Sequence, residues 1–203
     1  MRKAVCVITV LVILLSCLAA AEGKIIRPMA PEIDLAAPAD GIYGVVFKPA
    51  DLSDGALQFT VYTEDCYDII DINTLEPGDT IYFGGLDFVI DTVEQSDGLL
   101  LINGGMDEGG FDLRSFDEDN CWKVVMEDDY ATWTAFGETV VPLDDAVTFT
   151  DGWDIEKEPV TFSGAEAVAE AINGTDMDYF AYINTTLRIE NGKIVEIVCS
   201  YIP

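Results

Sequence analysis

The chain has 203 residues, and half of them are hydrophobic, which is enough to build one ordinary domain with a real core. Its charge is the most unusual property, because 38 acidic residues face ten basic ones and give a formal net charge of -28. Such an excess of negative charge repels nucleic-acid phosphates and anionic lipid surfaces. We therefore expect no nucleic-acid partner and no direct binding to a lipid surface.

The sequence contains no histidine. This absence excludes Ser-His-Asp and Cys-His catalysis, and it excludes histidine-ligated zinc. The glycine-rich stretches match neither GxxxxGK[ST] nor GxGxxG, so they do not predict a phosphate-binding loop. We expect a protein without catalytic activity. The alternative enzyme class is a glycoside hydrolase, which needs only two carboxylates at a set separation.

Residues 1–21 have the pattern of a signal peptide. Arg2 and Lys3 precede an almost wholly apolar run, and the three alanines 19–21 form a small-residue cleavage site before Glu22. We therefore predict an exported protein that is extracellular or attached to the cell surface. Both basic residues of the signal would be removed, so the chain from Glu22 keeps eight basic and 38 acidic residues and a net charge of -30.

A second processing site overlaps the signal. The stretch that ends at Cys17 (Leu-Leu-Ser-Cys) resembles a bacterial lipobox, in which the cysteine is diacylated and becomes the new N-terminus. Cleavage after the alanines would release the protein, whereas lipidation of Cys17 would tether it to the membrane through a lipid anchor. Both routes stay open, and the second favours a bacterial source over a eukaryotic one.

After the signal, residues 22–40 contain three prolines and several alanines, which predicts an extended leader or linker outside the core. Residues 41–203 form a single mainly β domain in this interpretation. Short runs rich in Val, Ile, Phe and Tyr alternate there with Gly, Asp, Asn or Pro, as in consecutive antiparallel strands. The predicted strands begin at Gly41, Ala56, Ile81, Leu86, Leu99, Cys121, Tyr130, Ala146, Tyr179 and Lys193.

The predicted architecture is an antiparallel meander that forms a small barrel or sandwich, with one short helix and a C-terminal hairpin. Ser163 and Glu166 form a capping-box pattern before a helix that ends at Asn173 and Gly174. Residues 191–192, Asn-Gly, are the favoured pair for a type I′ hairpin turn. This turn places Glu190 opposite Lys193, Ile189 opposite Ile194 and Glu196 opposite Leu187. Residues 66–73 fit either a short strand or one helical turn.

The acidic loops predict calcium as the most natural ligand, because Ca²⁺ prefers six to eight oxygen ligands from a flexible loop. Residues 103–120 are the least regular part of the sequence and supply most of these oxygens. They match neither the EF-hand spacing nor the repeat of calcium solenoids, so the pattern favours solvated acidic turns, and a calcium site is the alternative. The candidate ligands are Asp107, Glu108, Asp112, Asp117 and Asp119.

Three cysteines, Cys66, Cys121 and Cys199, follow the signal. Export permits one disulfide among them with one thiol left over, and the sequence does not choose the pair. Three tryptophans at positions 122, 133 and 153 could line a glycan cleft, or they could be core and rim residues.

The stretches YTED, LEPGDTI, LLLINGG and ENGKIVEIVCSYIP resemble small exported proteins of anaerobic bacteria. This resemblance covers most of the chain after residue 41 and supplies no catalytic residues. The leading hypothesis is an exported, acidic, non-catalytic protein that binds a ligand or partner outside the cell or at its surface. The alternatives are a Ca²⁺-dependent binding module and a carboxylate-based glycoside hydrolase.

Overall fold

The structure is a computed structural model that describes residues 23–116, 121–125, 131–176 and 179–201. These residues form fifteen strands and two α-helices, which confirms the predicted mainly β fold with antiparallel sheets. The strands are β1 (Ile25–Ile26), β2 (Gly41–Val46), β3 (Leu52–Ser53), β4 (Ala56–Glu64), β5 (Tyr67–Asp68), β6 (Thr80–Phe83), β7 (Leu86–Val89), β8 (Val93–Ser96), β9 (Leu99–Ile102), β10 (Phe111–Phe116), β11 (Cys121–Val125), β12 (Trp133–Gly152), β13 (Val160–Ser163), β14 (Thr185–Glu190) and β15 (Lys193–Ser200). The helices are α1 (Ile69–Asn73) and α2 (Ala165–Asn173).

The largest sheet has the strand order β13-β12-β15-β14-β2-β4-β3. Its centre is the 20-residue strand β12, whose first half pairs with β4 and whose second half pairs with β15 and β13. The sequence analysis divided this strand in two, because Asp144 and Asp145 look like a turn. The register between β12 and β15 does shift between Leu143 and Thr148, but the strand continues.

Two smaller sheets have the orders β1-β6-β7 and β5-β11-β10-β9-β8. The run from Leu86 to Val93, predicted as one strand, is divided between them: β7 pairs with β6, and β8 pairs with β9. Ile90 lies between the two strands and is fully buried. Of the two architectures predicted, packed sheets of the sandwich type fit this arrangement.

The buried apolar residues form two clusters. The first cluster lies between the largest sheet and α2, and it includes Phe59, Phe149, Val168 and Ile197. The second cluster lies between the two smaller sheets and α1, and it includes Tyr67, Ile81, Phe111 and Trp122. The predicted alternation in β4 is confirmed, because Leu57, Phe59 and Val61 are buried in the first cluster.

The prediction that residues 22–40 lie outside the core is wrong for the part that the structure describes. Strand β1 pairs in parallel with β6, and Ile26 is buried in the second cluster. Further along, Leu35 packs against the first cluster, and its carbonyl oxygen accepts a hydrogen bond from Thr139 Oγ1 at 2.6 Å. Prolines keep this segment extended, and an extended segment can cover both clusters as readily as it can form a linker.

Residues 103–120 were predicted as one irregular loop, but Phe111–Phe116 form strand β10. This strand pairs with β9 and β11, and it buries Phe111 and Leu113. Its period-2 pattern was hidden by the surrounding glycines and acids. Residues 117–120 lie outside the described part of the chain.

The C-terminal hairpin is confirmed at its turn, where Glu190 pairs with Lys193 and Ile189 with Ile194. A bulge then shifts the register, so Glu196 does not face Leu187 as predicted. It pairs with Arg188 instead, and Arg188 Nε lies 3.1 Å from Glu196 Oε2 on the outer face. The bulge thereby keeps a charged residue out of the first cluster.

The predicted helix is also confirmed in position, but its capping box is wrong. Ser163 is the last residue of β13, and Gly164 is the N-cap with φ of 89° and no side-chain capping bond. The sharp change from strand to helix needs this positive φ, which glycine adopts without strain. Val168 and Ile172 are buried, so α2 covers one face of β12 and β13.

Candidate functional site

A groove of about 680 Å³ lies on the outer face of β2, β4 and β14 and is bordered by residues 29–33. We call it the aromatic groove. Its apolar and aromatic lining side chains are Met29, Pro31, Ile33, Ile42, Tyr43, Val61, Tyr62, Trp133, Tyr182 and Ile183. Its volume lies within the roughly 300–1,000 Å³ of small-molecule and peptide pockets.

Two close contacts shape the floor of the aromatic groove. Tyr62 and Tyr182 stack with ring centroids 4.5 Å apart and an angle of 12° between their planes. Gly44 lies beside them, and a Cβ atom there would lie 3.6 Å from both the Trp133 ring and the Tyr182 carbonyl oxygen. Because residue 44 has no side chain, the aromatic rings beside it line the groove.

Three apolar side chains of this groove are exposed to solvent. Ile42, Ile183 and Met29 have exposed fractions of 71 %, 52 % and 42 %. Single exposed aliphatic residues are ordinary on protein surfaces, and others of this chain, such as Ile155, are equally exposed. These three differ in that all of them line one groove beside aromatic rings.

One wall of the groove is held by the disulfide bond. The structure pairs Cys66 with Cys121, a choice that the sequence left open. Cys66 lines the groove, and its carbonyl oxygen accepts a hydrogen bond from Met29 N at 2.7 Å. The bond to β11 therefore fixes the point where the 29–33 segment meets the sheet.

The third cysteine, Cys199, is a fully buried free thiol in the first cluster. Burial raises the pKa of this thiol to about 11, so the reactive thiolate is disfavoured at neutral pH. Cys199 Sγ lies 3.8 Å from Thr185 Oγ1. This environment is that of a structural thiol.

The three tryptophans do not share a cleft. Trp122 is buried in the second cluster, and Trp133 lines the aromatic groove. Trp153 is partly exposed near Tyr179 and Tyr201. The interpretation of the tryptophans as core and rim residues therefore describes their positions better than a common glycan cleft.

The calcium candidates are only partly described. Asp107 and Glu108 lie in a single turn of 3-10 helix, and Asp112 lies in β10, where its Oδ1 accepts a hydrogen bond from Met106 N at 3.3 Å. Asp117 and Asp119 lie outside the described residues, as does Cys17. Within the described ranges, no group of three or more acidic or cysteine side chains is arranged to hold a metal ion. Calcium binding stays a prediction.

The buried Asp65 links segments of the two clusters through hydrogen bonds, a role that the sequence does not predict. Asp65 is 1 % exposed; its Oδ2 accepts a hydrogen bond from Gly84 N at 2.8 Å, and its backbone N–H donates to Thr132 O at 2.9 Å. Burial and the charge of Asp65 raise the pKa of Tyr67. An acidic residue just before a cysteine gave no sequence signal for burial.

Neither helix in the described part of the chain has the length and apolar character needed to cross a bilayer. Comparison of the chain with protein-family models, with curated proteins and with solved structures found no match. Function must therefore be argued from the chemistry of the surfaces described above.

Proposed function

We propose that this protein is an exported, non-catalytic binding protein, and that the aromatic groove holds an extended segment of a partner protein with apolar and basic side chains. The observation that carries this proposal is that the exposed Ile42, Ile183 and Met29 line the same groove as several aromatic rings. Exposed apolar surface in a concave site is typical of protein interaction sites.

The lining of the groove favours a peptide over a sugar. Apart from the tyrosine hydroxyls, its polar side chains are Thr63, Glu64 and Thr186. A sugar carries a hydroxyl group on nearly every carbon and needs many hydrogen bonds in exchange for water, whereas apolar peptide side chains would gain from leaving water. Tyrosine and tryptophan rings are also typical anchors of protein interfaces.

Charge favours basic residues in the bound segment. The chain from Glu22 has a net charge of -30, and the exposed Glu32 lies between two lining residues of the groove. Complementary charge raises association rates and disfavours acidic competitors. The partner segment therefore combines apolar side chains with lysine or arginine.

The groove gives no support to the hydrolase alternative. A glycosidase needs two carboxylates about 5 to 10 Å apart. Among the described residues that line the groove, Glu64 supplies one carboxylate, and its Oε2 lies 3.2 Å from Lys123 Nζ in an ion pair.

The test measures binding of a ten-residue peptide of alternating leucine and lysine to the chain from Glu22 by calorimetry. Tyr182→Ala removes an aromatic wall, and we expect it to raise the Kd at least about ten-fold, as loss of an interface anchor does. Val140→Ser, at an exposed site outside the groove, is the matched control and should leave the Kd unchanged.

A peptide of alternating leucine and glutamate tests the charge preference and should bind at least about ten-fold more weakly. Equal Kd values for the wild type and Tyr182→Ala would show adhesion by charge alone. That result, or equal binding of the acidic peptide, would overturn the proposal.

A further inference from the structure

A second cavity, of about 410 Å³, lies between α2 and the strands β12 and β13. We call it the α2 pocket. Phe149, Asp151 and Phe162 line it from the strands, and Ala167, Glu170 and Ala171 line it from the helix. The two alanines are four residues apart on one helical face, so small side chains leave the space open.

Two acidic residues, Asp151 and Glu170, line this pocket. Asp151 lies on the same strand face as Phe149, because side chains alternate along a strand, and Glu170 is exposed on the helix. Asp151 Oδ1 accepts hydrogen bonds from Tyr179 OH at 2.5 Å and from Trp153 N at 3.2 Å. These bonds hold the carboxylate in place. Both reach Oδ1 in the described part of the chain, so Oδ2 can accept a hydrogen bond from a ligand.

The basic side chain near this site pairs with a different acid. Lys157 interacts electrostatically with Asp151, but its Nζ lies 2.5 Å from Asp154 Oδ2 and its side chain is 77 % exposed. No lysine or arginine is among the described lining residues of the α2 pocket. The negative charge of Asp151 and Glu170 therefore faces the cavity.

The Phe162 ring and the C-terminal end of α2 both attract a cation. Phe162 is half-buried and stacks on the buried Phe149, with centroids 5.8 Å apart at an angle of 18°. An aromatic ring attracts an organic cation over its face. The pocket also adjoins Gly174, just past the C-terminus of α2, where the helix dipole is negative.

We propose that the α2 pocket binds an alkylammonium ion, with Asp151 and Glu170 neutralising its charge and Phe162 covering its alkyl groups. A ring and two alanines cannot coordinate a bare metal ion, which prefers an all-oxygen shell. They suit a cation with an apolar surface. This site is separate from the aromatic groove and does not depend on the function proposed for it.

The test titrates choline, ethanolamine and the neutral choline isostere 3,3-dimethylbutan-1-ol into the chain from Glu22, with NMR detection. Binding of either cation at least about ten-fold more tightly than the isostere supports the proposal, and their relative affinity distinguishes quaternary from primary ammonium ligands. Equal affinity for the isostere, or no binding of either cation, would overturn it.

Matched variants locate the site. Glu170→Gln should raise the Kd of the bound cation about two- to five-fold, as expected for loss of an exposed charge pair. Glu166→Gln removes the same charge from the first turn of the same helix and should change the Kd less. Asp151→Asn should weaken binding about ten-fold. Equal effects of Glu166→Gln and Glu170→Gln would mean that only the overall field matters, and would refute a site in the pocket.

Discussion

The two apolar clusters are built in different ways. The first contains seventeen buried residues, and its strands come from both ends of the chain around the long strand β12, with α2 as a cover. The second contains eleven buried residues between strands of two to six residues, and the Cys66–Cys121 disulfide joins two of its segments. Small cores bury too little apolar surface to be stable without such a cross-link.

The buried polar side chains near the two clusters also differ in how well they are hydrogen-bonded. In the first cluster, Asn184 accepts hydrogen bonds from Ala181 N and Thr185 Oγ1 and donates one to Tyr179 O. Near the second cluster, Asp65 Oδ1 and Trp122 Nε1 are buried without a hydrogen-bond partner among the described residues, as are Thr132 Oγ1 and Thr134 Oγ1 around the start of β12. An unsatisfied buried group costs about 1–3 kcal/mol. We therefore expect the first cluster to provide most of the stability and the second to depend on its disulfide.

The largest effect should come from truncating the first cluster. Phe59→Ala removes a ring that is 2 % exposed, and we expect the free energy of unfolding to fall by about 3–5 kcal/mol. Phe111→Ala makes the same change in the second cluster. Denaturant unfolding followed by far-UV dichroism measures both. A smaller loss for Phe59→Ala than for Phe111→Ala would reverse the ranking of the two clusters.

Loss of the disulfide should act mainly on the second cluster. The Cys66→Ala and Cys121→Ala double variant frees a closed loop with a sequence separation of 55, which should cost about 2–4 kcal/mol. NMR signals from Ile81 and Leu113, which are buried in the second cluster, should change at a lower denaturant concentration than those from Ile194 and Ile197 in the first. Coincident transitions in this variant would show that the two clusters unfold as one unit.

The smallest predicted effect is the pH dependence of the free energy of unfolding that Cys199 in the first cluster causes. Burial raises the pKa of Cys199 to about 11 from an ordinary value near 9, so the folded protein favours the neutral thiol. The resulting stabilisation is complete below pH 9 and is lost as the pH rises from 9 to 11, by at most about 1.4 kcal/mol per pH unit.

Tyrosine ionisation also begins in this range, so the measurement compares the wild type with Cys199→Ala at each pH. The difference between their free energies of unfolding should decrease from pH 9 to 11. A constant difference would mean that the thiol ionises as easily in the folded state as in the unfolded one.

Much of the fold follows from local patterns. The alternation in β4 and the Asn-Gly turn before β15 predict strands whose buried faces the structure confirms. The predictions were wrong where tertiary structure overrides a local sequence signal. Two aspartates that are typical of a turn do not end β12. A bulge that the sequence does not predict moves Glu196 to the outer face.

The candidate sites were harder to predict, because their residues come from distant parts of the chain. One signal for the aromatic groove was present: Tyr62 is an aromatic residue on the face of β4 that Gln58 and Thr60 make polar. Its partners Tyr182 and Met29 have no sequence relation to it. The partner of Cys66 was equally hidden, because pairing depends on the sheet that brings β5 and β11 together.

The topology of the largest sheet has a consequence for the export that the sequence predicts. Strand β2 lies beside β14, so Gly44 pairs with Thr186, and β15 must reach β12 before the first cluster is complete. Such distant pairings form slowly, because a long loop must close first. In the proposed export, a chain threaded outward from its N-terminus would therefore keep its first cluster incomplete until β14 and β15 emerge.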